Sequence, residues 1–232
     1  MFLKLLFLTS IVFQYMVNAS FDVSKAAHQD NITILNPPDY VFSIWGLIYL
    51  LQLFQTYYTL KNTQPQLFYW VQILAAAFNS LWIILFCHFE NWFWQMMDLV
   101  MCYVVLFANM QFFVKWENSA QFICKLYSCI YIGWITQAQM LAVLIWNRHA
   151  LFMQELTLAR GLLLLALILD VVVSIKFNAG YVCVPQLIAL LTLIPKIKSD
   201  FALCNASKIG IIIDILLIAY QIIKDLKHCV SK

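Results

Sequence analysis

The chain has 232 residues, of which 64% are hydrophobic and only 11% carry a charge. An ordinary soluble domain has about 25% charged residues, so this composition excludes a soluble globule and predicts a single membrane domain in a lipid bilayer. The formal net charge is +3, and the sequence contains no basic cluster. This charge distribution argues against a nucleic-acid partner.

Apolar runs separated by polar or proline-containing loops predict an all-α, multi-pass integral membrane protein with eight spans. In chain order the spans cover residues 2–17, 40–60, 67–89, 92–114, 123–146, 156–175, 181–194 and 209–223. Tryptophan is absent after residue 156, and Leu, Ile and Val dominate there. We therefore predict a transmembrane bundle over residues 1–146 and a set of C-terminal transmembrane helices over residues 147–232.

The first span has two interpretations. Its apolar run of about 13 to 16 residues lies between the length of a signal peptide and that of a transmembrane helix. A positive residue, Lys4, precedes the run, and the small residue Ala19 follows it near a site where a signal peptidase could cut. Sequence physics alone leaves cleavage of residues 1–19 and retention of a first helix both open.

Three of the eight tryptophans lie well inside predicted spans, whereas the other five lie near span ends, where aromatic belts are usual. An indole N–H inside a membrane has to find an acceptor or line a cavity. Each interior tryptophan belongs to a stripe at helical spacing: Phe42, Trp45 and Tyr49; Asn79, Trp82 and Phe86; Tyr127, Tyr131, Trp134 and Ala138. Such stripes form either a pocket for a planar apolar ligand with a polar edge or a solidly packed bundle core.

Three segments carry a family resemblance. Residues 36–49, which read Asn-Pro-Pro-Asp-Tyr-Val-Phe-Ser-Ile-Trp-Gly-Leu-Ile-Tyr, resemble the start of the second helix in the TspO/MBR family of translocator and tryptophan-rich sensory proteins. Residues 77–86 resemble the third-helix element of that family, and residues 131–138 resemble its fifth-helix element. The resemblance covers roughly residues 1–146 and is nearest to a longer branch that has extra C-terminal helices.

The resemblance implies a TspO-like five-helix bundle followed by about three further helices. It also implies a cavity between the second, third and fifth helices that binds a tetrapyrrole, sterol or similar lipophile for sensing or transport, with porphyrin or haem as a candidate ligand. The residues implied to line this cavity are Phe42, Trp45, Tyr49, Asn79, Trp82, Tyr131, Trp134 and Ala138. In the family, the loop that corresponds to residues 18–36 covers the cavity.

The resemblance also bears on how the first two helices begin. A five-helix bundle needs its first helix, so we expect the first span to be retained and to pack beside the second. Asn36 is a suitable N-cap for the second helix, and Pro37 and Pro38 suit a first turn whose N–H groups have no partner within the helix.

Several alternatives remain. The lid loop has no tryptophan, and Ala142 stands where the family commonly has Asn, which favours an accessory subunit of a homodimer or larger membrane complex whose pocket has degenerated. No nucleophile triad or phosphate loop indicates an enzyme, and porphyrin degradation rests on the resemblance alone. The intramembrane carboxylates Asp98 and Asp170 are candidates for an ion-coupled transporter or for hydrogen bonds within the bundle. Asp214, near a predicted helix start, is expected to face the headgroups, and the seven cysteines are expected to be reduced apolar fillers.

Overall fold

The computed structural model describes residues 2–23, 25–26, 33–88, 92–113, 115–150 and 153–230. Within these ranges the chain is helical and contains no strand. The α-helices are α1 (Phe2–Ser20), α2 (Ile44–Lys61), α3 (Gln66–His88), α4 (Trp92–Gln111), α5 (Ser119–Ala150), α6 (Glu155–Phe177), α7 (Cys183–Leu193) and α8 (Phe201–Val230). Short 3-10 helices, Asp39–Ser43 and Gly180–Val182, precede α2 and α7.

Six helices in the described part of the chain are long and apolar enough to cross a membrane: α1, α3, α4, α5, α6 and α8. Helix α2 is less apolar because one of its faces buries the polar side chains of Gln52, Gln55, Thr56 and Thr59. Helix α7 has only 11 residues, about 16 Å of α-helix, which is about half of a hydrocarbon core.

Helix α5 is the centre of the bundle. It packs against α2, α4, α6 and α7. In the most apolar 18-residue segment of α5, 83% of the residues are buried inside the protein, compared with 22% in the corresponding segment of α1. A glycine allows its close approach to the chain before α7, because a Cβ atom at Gly133 would lie 2.0 Å from the backbone oxygen of Val182. Such a separation is possible only for a residue without a side chain.

The remaining helices flank α5 on two sides. Helix α1 packs on α3, and α3 packs on α4, whereas α8 packs on α6 and α7. Helix α1 also contacts α2, since the Tyr15 hydroxyl donates to the Tyr49 backbone oxygen at 3.0 Å. The main hydrophobic core joins residues of both sequence regions, among them Ile48 and Val182. The division at residues 146 and 147, and retention of the first span in the mature chain, stay predictions.

The second helix begins later than the sequence predicts. The chain enters it through the 3-10 helix Asp39–Ser43; Pro38 occupies the N-cap position of this 3-10 helix and Ser43 that of α2, and neither position has a side-chain capping bond. The predicted Asn36 cap is therefore wrong: the Asn36 side chain accepts a hydrogen bond from the Thr33 hydroxyl at 2.9 Å instead. A proline disfavours the helical conformation in the residue before it, so Pro38 keeps Pro37 out of a helical turn.

The last helix is longer than predicted, and this changes the position of Asp214. Helix α8 has 30 residues and begins at Phe201, eight residues before the predicted span. Its second turn, which contains Asn205, Ser207 and Lys208, interrupts the apolar pattern and hid the start of the helix. At that start the Leu203 backbone N–H donates to the Asp200 side chain at 2.6 Å. Asp214 therefore lies in the middle of the helix and is fully buried. The expectation that it faces the headgroups was wrong.

Candidate ligand-binding site

Aromatic rings from α2, α3 and α5 form one cluster around Trp45. The Trp45 ring stacks on Tyr49 and on Trp82, with centroids 5.5 Å and 6.2 Å apart, and it meets Tyr131 and Trp134 edge to face at 5.9 Å and 6.1 Å. These separations lie within the 4.5–7 Å range of favourable ring pairs. The three predicted stripes therefore meet at one place inside the bundle.

Two further pairs extend this aromatic cluster. Phe42, in the 3-10 helix before α2, lies edge to face against Trp134 with a centroid distance of 5.7 Å. Phe86 stacks on Trp82 at 5.2 Å, one helical turn along α3. These four rings line one side of a small cavity of about 20 Å³, which is about enough for one water molecule, and its other side is formed by residues such as Leu163 of α6 and Leu190 of α7. The cluster thus leaves little free space on the side that faces α6 and α7.

A hydrogen-bonded amide network borders the aromatic cluster. The Gln14 amide donates to the Asn79 side-chain oxygen at 2.9 Å and to the Tyr131 hydroxyl at 3.4 Å. The Asn18 amide donates to the same Asn79 oxygen at 3.1 Å, and the Gln52 amide donates to the Gln14 side-chain oxygen at 2.9 Å. Four amide side chains from three helices therefore fix one another where lipid offers no partners.

Several polar atoms of this site lack a partner. The indole Nε1 atoms of Trp45, Trp82 and Trp134 are buried and make no hydrogen bond to any described residue, and the same is true of the Asn79 side-chain nitrogen. A buried donor without an acceptor costs about 1–3 kcal/mol. Four such donors in one cluster mark it as a place where a molecule with acceptor atoms would gain stabilising contacts.

An open cavity adjoins the aromatic cluster at the end of α1. It has a volume of about 410 Å³, and its walls are residues 18–23 together with Phe42, Trp45 and Tyr49. The Tyr49 hydroxyl donates to the Asn18 side-chain oxygen at the edge of this cavity. Small-molecule sites commonly have volumes of about 300–1,000 Å³, so this cavity is large enough for a small lipophile.

The end of the segment between α1 and α2, at Ile34 and Asn36, is held by residues of the C-terminal region. The Ile34 backbone N–H donates to the Glu155 carboxylate at 2.8 Å, and the Lys196 ammonium donates to the Asn36 backbone oxygen at 3.2 Å. Residues 24 and 27–32 of the loop lie outside the described residues. The part that follows them is fixed by residues well beyond the region that carries the family resemblance.

All eight residues predicted to line a pocket lie at or beside the aromatic cluster. Ala138 joins Phe42 and Trp134 around the small interior space. The grouping was predicted from the stripes, but the role of these residues in binding stays a prediction. Sequence reasoning missed Gln14, Asn18 and Gln52, although one signal was available: Gln14 and Asn18 are polar, lie in a predicted apolar helix and are one turn apart.

Comparison with known proteins supports the resemblance found in the sequence. A family model described as TSPO-like protein matches residues 1–220 of the chain. Comparison with curated proteins found no match, and neither did comparison with solved structures. The six helices that can cross a membrane agree with an integral, multi-pass membrane protein built as a TspO-like bundle. Because the matched region covers nearly the whole chain, the protein belongs to the TSPO-like family.

Proposed function

We propose that the protein binds a planar lipophilic molecule with a polar edge, such as a tetrapyrrole or a sterol, and that this binding serves sensing or transport rather than catalysis. The observation that carries the proposal is the group of three buried indole N–H donors without acceptors, on Trp45, Trp82 and Trp134. They lie in an aromatic cluster beside a cavity of about 410 Å³. Flat rings and unpaired donors suit an aromatic or polycyclic ligand that carries oxygen or nitrogen acceptors.

The ligand would enter at the end of α1 and lie against the rings of Phe42, Trp45 and Tyr49, which line the cavity. From there a modest rearrangement of the aromatic cluster would bring the polar edge of the ligand to the Trp45 N–H. The amide network of Gln14 and Asn79 holds α1 and α3 in place around this position.

Tryptophan fluorescence tests the proposal directly. Protoporphyrin and haem should quench the emission of the purified protein, and a sterol should compete with them. Trp45→Phe keeps an aromatic ring but removes the indole N–H. Loss of one hydrogen bond of about 0.5–1.5 kcal/mol should raise the Kd about 2- to 12-fold. Trp70→Phe is the matched control, because it also removes one indole, yet Trp70 is 45% exposed on α3, outside the cluster. Equal affinities of the two variants would place the binding site elsewhere.

A second candidate function is that of an accessory subunit in a homodimer or a larger membrane complex. The observation that favours it is the close packing of the aromatic cluster against α6 and α7, because the cavity that Phe42, Trp82, Phe86 and Trp134 help to line there has a volume of only about 20 Å³. If porphyrin, haem and sterol all leave the emission unchanged, this function takes precedence. Chemical cross-linking in native membranes should then capture the chain in a complex of fixed stoichiometry.

A further inference from the structure

Three ligating side chains meet inside the C-terminal helices, on elements that the proposed function does not use. They are Asp170 of α6, Cys183 at the first residue of α7, and Asp214 of α8. One carboxylate oxygen from each aspartate and the cysteine sulfur all lie within 4.8 Å of one another. All three residues are buried, with 3%, 0% and 0% of their surface exposed. Three different helices thus direct charged or thiol groups to one interior point.

Three of the four carboxylate oxygens in this cluster have no hydrogen-bond partner outside it among the described residues. They are the Oδ2 atom of Asp170 and both oxygens of Asp214, whose carboxylate interacts with the Cys183 thiol inside the cluster. The ion pairs found in the described part of the chain use other carboxylates, those of Asp225, Glu155 and Asp200. Two anionic groups buried together without a counter-charge are strongly unfavourable in a membrane protein, and a cation bound between them would neutralise both.

We propose that Asp170, Cys183 and Asp214 form a binding site for a divalent transition-metal cation of the zinc class. Zinc combines thiolate and carboxylate ligands in a four-coordinate shell, whereas calcium and magnesium take six or more oxygen ligands. A fourth ligand is at hand, because the Ser174 hydroxyl lies 3.4 Å from the Cys183 sulfur, on the same face of α6 as Asp170. Binding would convert the thiol to a thiolate and release its proton, so two carboxylates, one thiolate and one divalent cation would together carry a net charge of −1.

The geometry requires only small movements. Metal–ligand distances of about 2.0–2.3 Å place the ligand atoms of a tetrahedral zinc site roughly 3.3–3.8 Å apart. The ligand atoms of Asp170, Cys183 and Asp214 lie within 4.8 Å of one another, so side-chain movements of about 1 Å would bring these three atoms to the distances of a zinc site. Ser174 lies three residues before the end of α6, about 4.5 Å along the helix axis, so the site is close to one end of the hairpin between α6 and α7.

Cobalt binding tests the proposal, because Co²⁺ takes the place of Zn²⁺ and a cobalt–thiolate bond produces a charge-transfer absorption. The purified full chain in detergent, kept reduced, should bind one Co²⁺ with this absorption, and Zn²⁺ should displace it. Cys183→Ser should abolish the absorption. Asp170→Asn and Asp214→Asn should each weaken binding at least tenfold. Circular dichroism checks that each variant keeps its helix content.

Matched controls come from the same membrane interior. Asp98→Asn changes another buried aspartate whose two oxygens lack partners, but on α4. Cys204→Ser changes another buried cysteine, on α8, away from the cluster. Both controls should bind Co²⁺ as the unchanged protein does, and Zn²⁺ should raise their melting temperature but not that of Asp214→Asn. Absence of saturable Co²⁺ binding by the unchanged protein, or unchanged binding by the Asp170→Asn/Asp214→Asn double variant, would overturn the proposal.

Discussion

Replacing Asp225 with alanine should destabilise the protein far more than breaking an exposed ion pair does. The Asp225 carboxylate pairs with the Lys125 ammonium at 3.2 Å, between α8 and α5, and the two side chains are 9% and 1% exposed. The same carboxylate accepts hydrogen bonds from the Gln221 amide and the Tyr181 hydroxyl, both at 2.9 Å. Lys125 lies in the most deeply buried helix, so removing the carboxylate leaves its ammonium buried without an ion-pair partner.

The expected magnitude follows from what the substitution leaves behind. Removing one partner of a buried ion pair costs about 3–5 kcal/mol, because the other charge stays buried without compensation. The matched comparison is Arg148→Ala, which breaks the pair between Arg148 and Glu155, whose side chains are 46% and 29% exposed. An exposed pair contributes about 0–1 kcal/mol. The two substitutions should therefore differ by at least about 2 kcal/mol in their effect on the free energy of unfolding.

Reversible unfolding in mixed detergent micelles, followed by circular dichroism, measures both effects. A second variant identifies the cause: Lys125→Met added to Asp225→Ala removes the stranded ammonium and should recover part of the lost stability. If Asp225→Ala and Arg148→Ala cost the same, or if the double variant is less stable than Asp225→Ala alone, the buried charge is not what makes this position sensitive.

Two further predictions concern helix packing and pH. Gly133→Ala places a methyl group 2.0 Å from a backbone oxygen before α7, so overpacking should lower the free energy of unfolding by about 1–3 kcal/mol. Gly161→Ala meets no atom within 4 Å and should stabilise α6 by up to about 1 kcal/mol. Equal shifts of the two variants in thermal unfolding would contradict this prediction. The Leu203 backbone N–H and the Arg160 guanidinium lower the pKa of Asp200. Its stabilising effect should thus be complete above about pH 4, the usual aspartate pKa, and decline as the pH falls through the lowered value. Asp200→Asn, which still caps α8, should reduce the pH dependence of the melting temperature in this range, and an unchanged dependence would refute the assignment.

The sequence predicted the helices and the aromatic cluster because both depend on local patterns. Residues that face lipid must be apolar, so long apolar runs mark the spans, and helical spacing places Trp45, Trp82 and Trp134 on inward faces. The same rule fails where the interior is polar. The second turn of α8 carries polar side chains, and on the buried face of α2 the amides of Gln52 and Gln55 donate to Gln14 and Asn109. A hydropathy pattern reads such segments as loops or shortened spans.

Contacts between distant segments were beyond prediction from one sequence. Trp116 lies near a predicted span end, which indicates an interfacial position, yet it is buried and its indole N–H donates to Asp225 at 3.4 Å. Nothing near Trp116 in the sequence indicates a carboxylate more than one hundred residues away. Likewise Asp170, Cys183 and Asp214 come together only because α6, α7 and α8 pack as they do. The polar chemistry of this protein is thus set by tertiary packing more than by local motifs.

The central helix connects the candidate site to the C-terminal helices. On α5, Tyr131 and Trp134 contact the aromatic cluster, while Gly133 between them allows the close approach of the chain before α7. One turn further, the Gln137 amide donates to the Gln186 side chain of α7 at 3.1 Å. A methyl group added at Gly133 would push α7 and α5 apart and would therefore shift the backbone that carries Trp134, since close-packed protein interiors transmit strain. The C-terminal helices thus contact α5 beside the aromatic cluster, and residues of the same region bind Ile34 and Asn36 before α2.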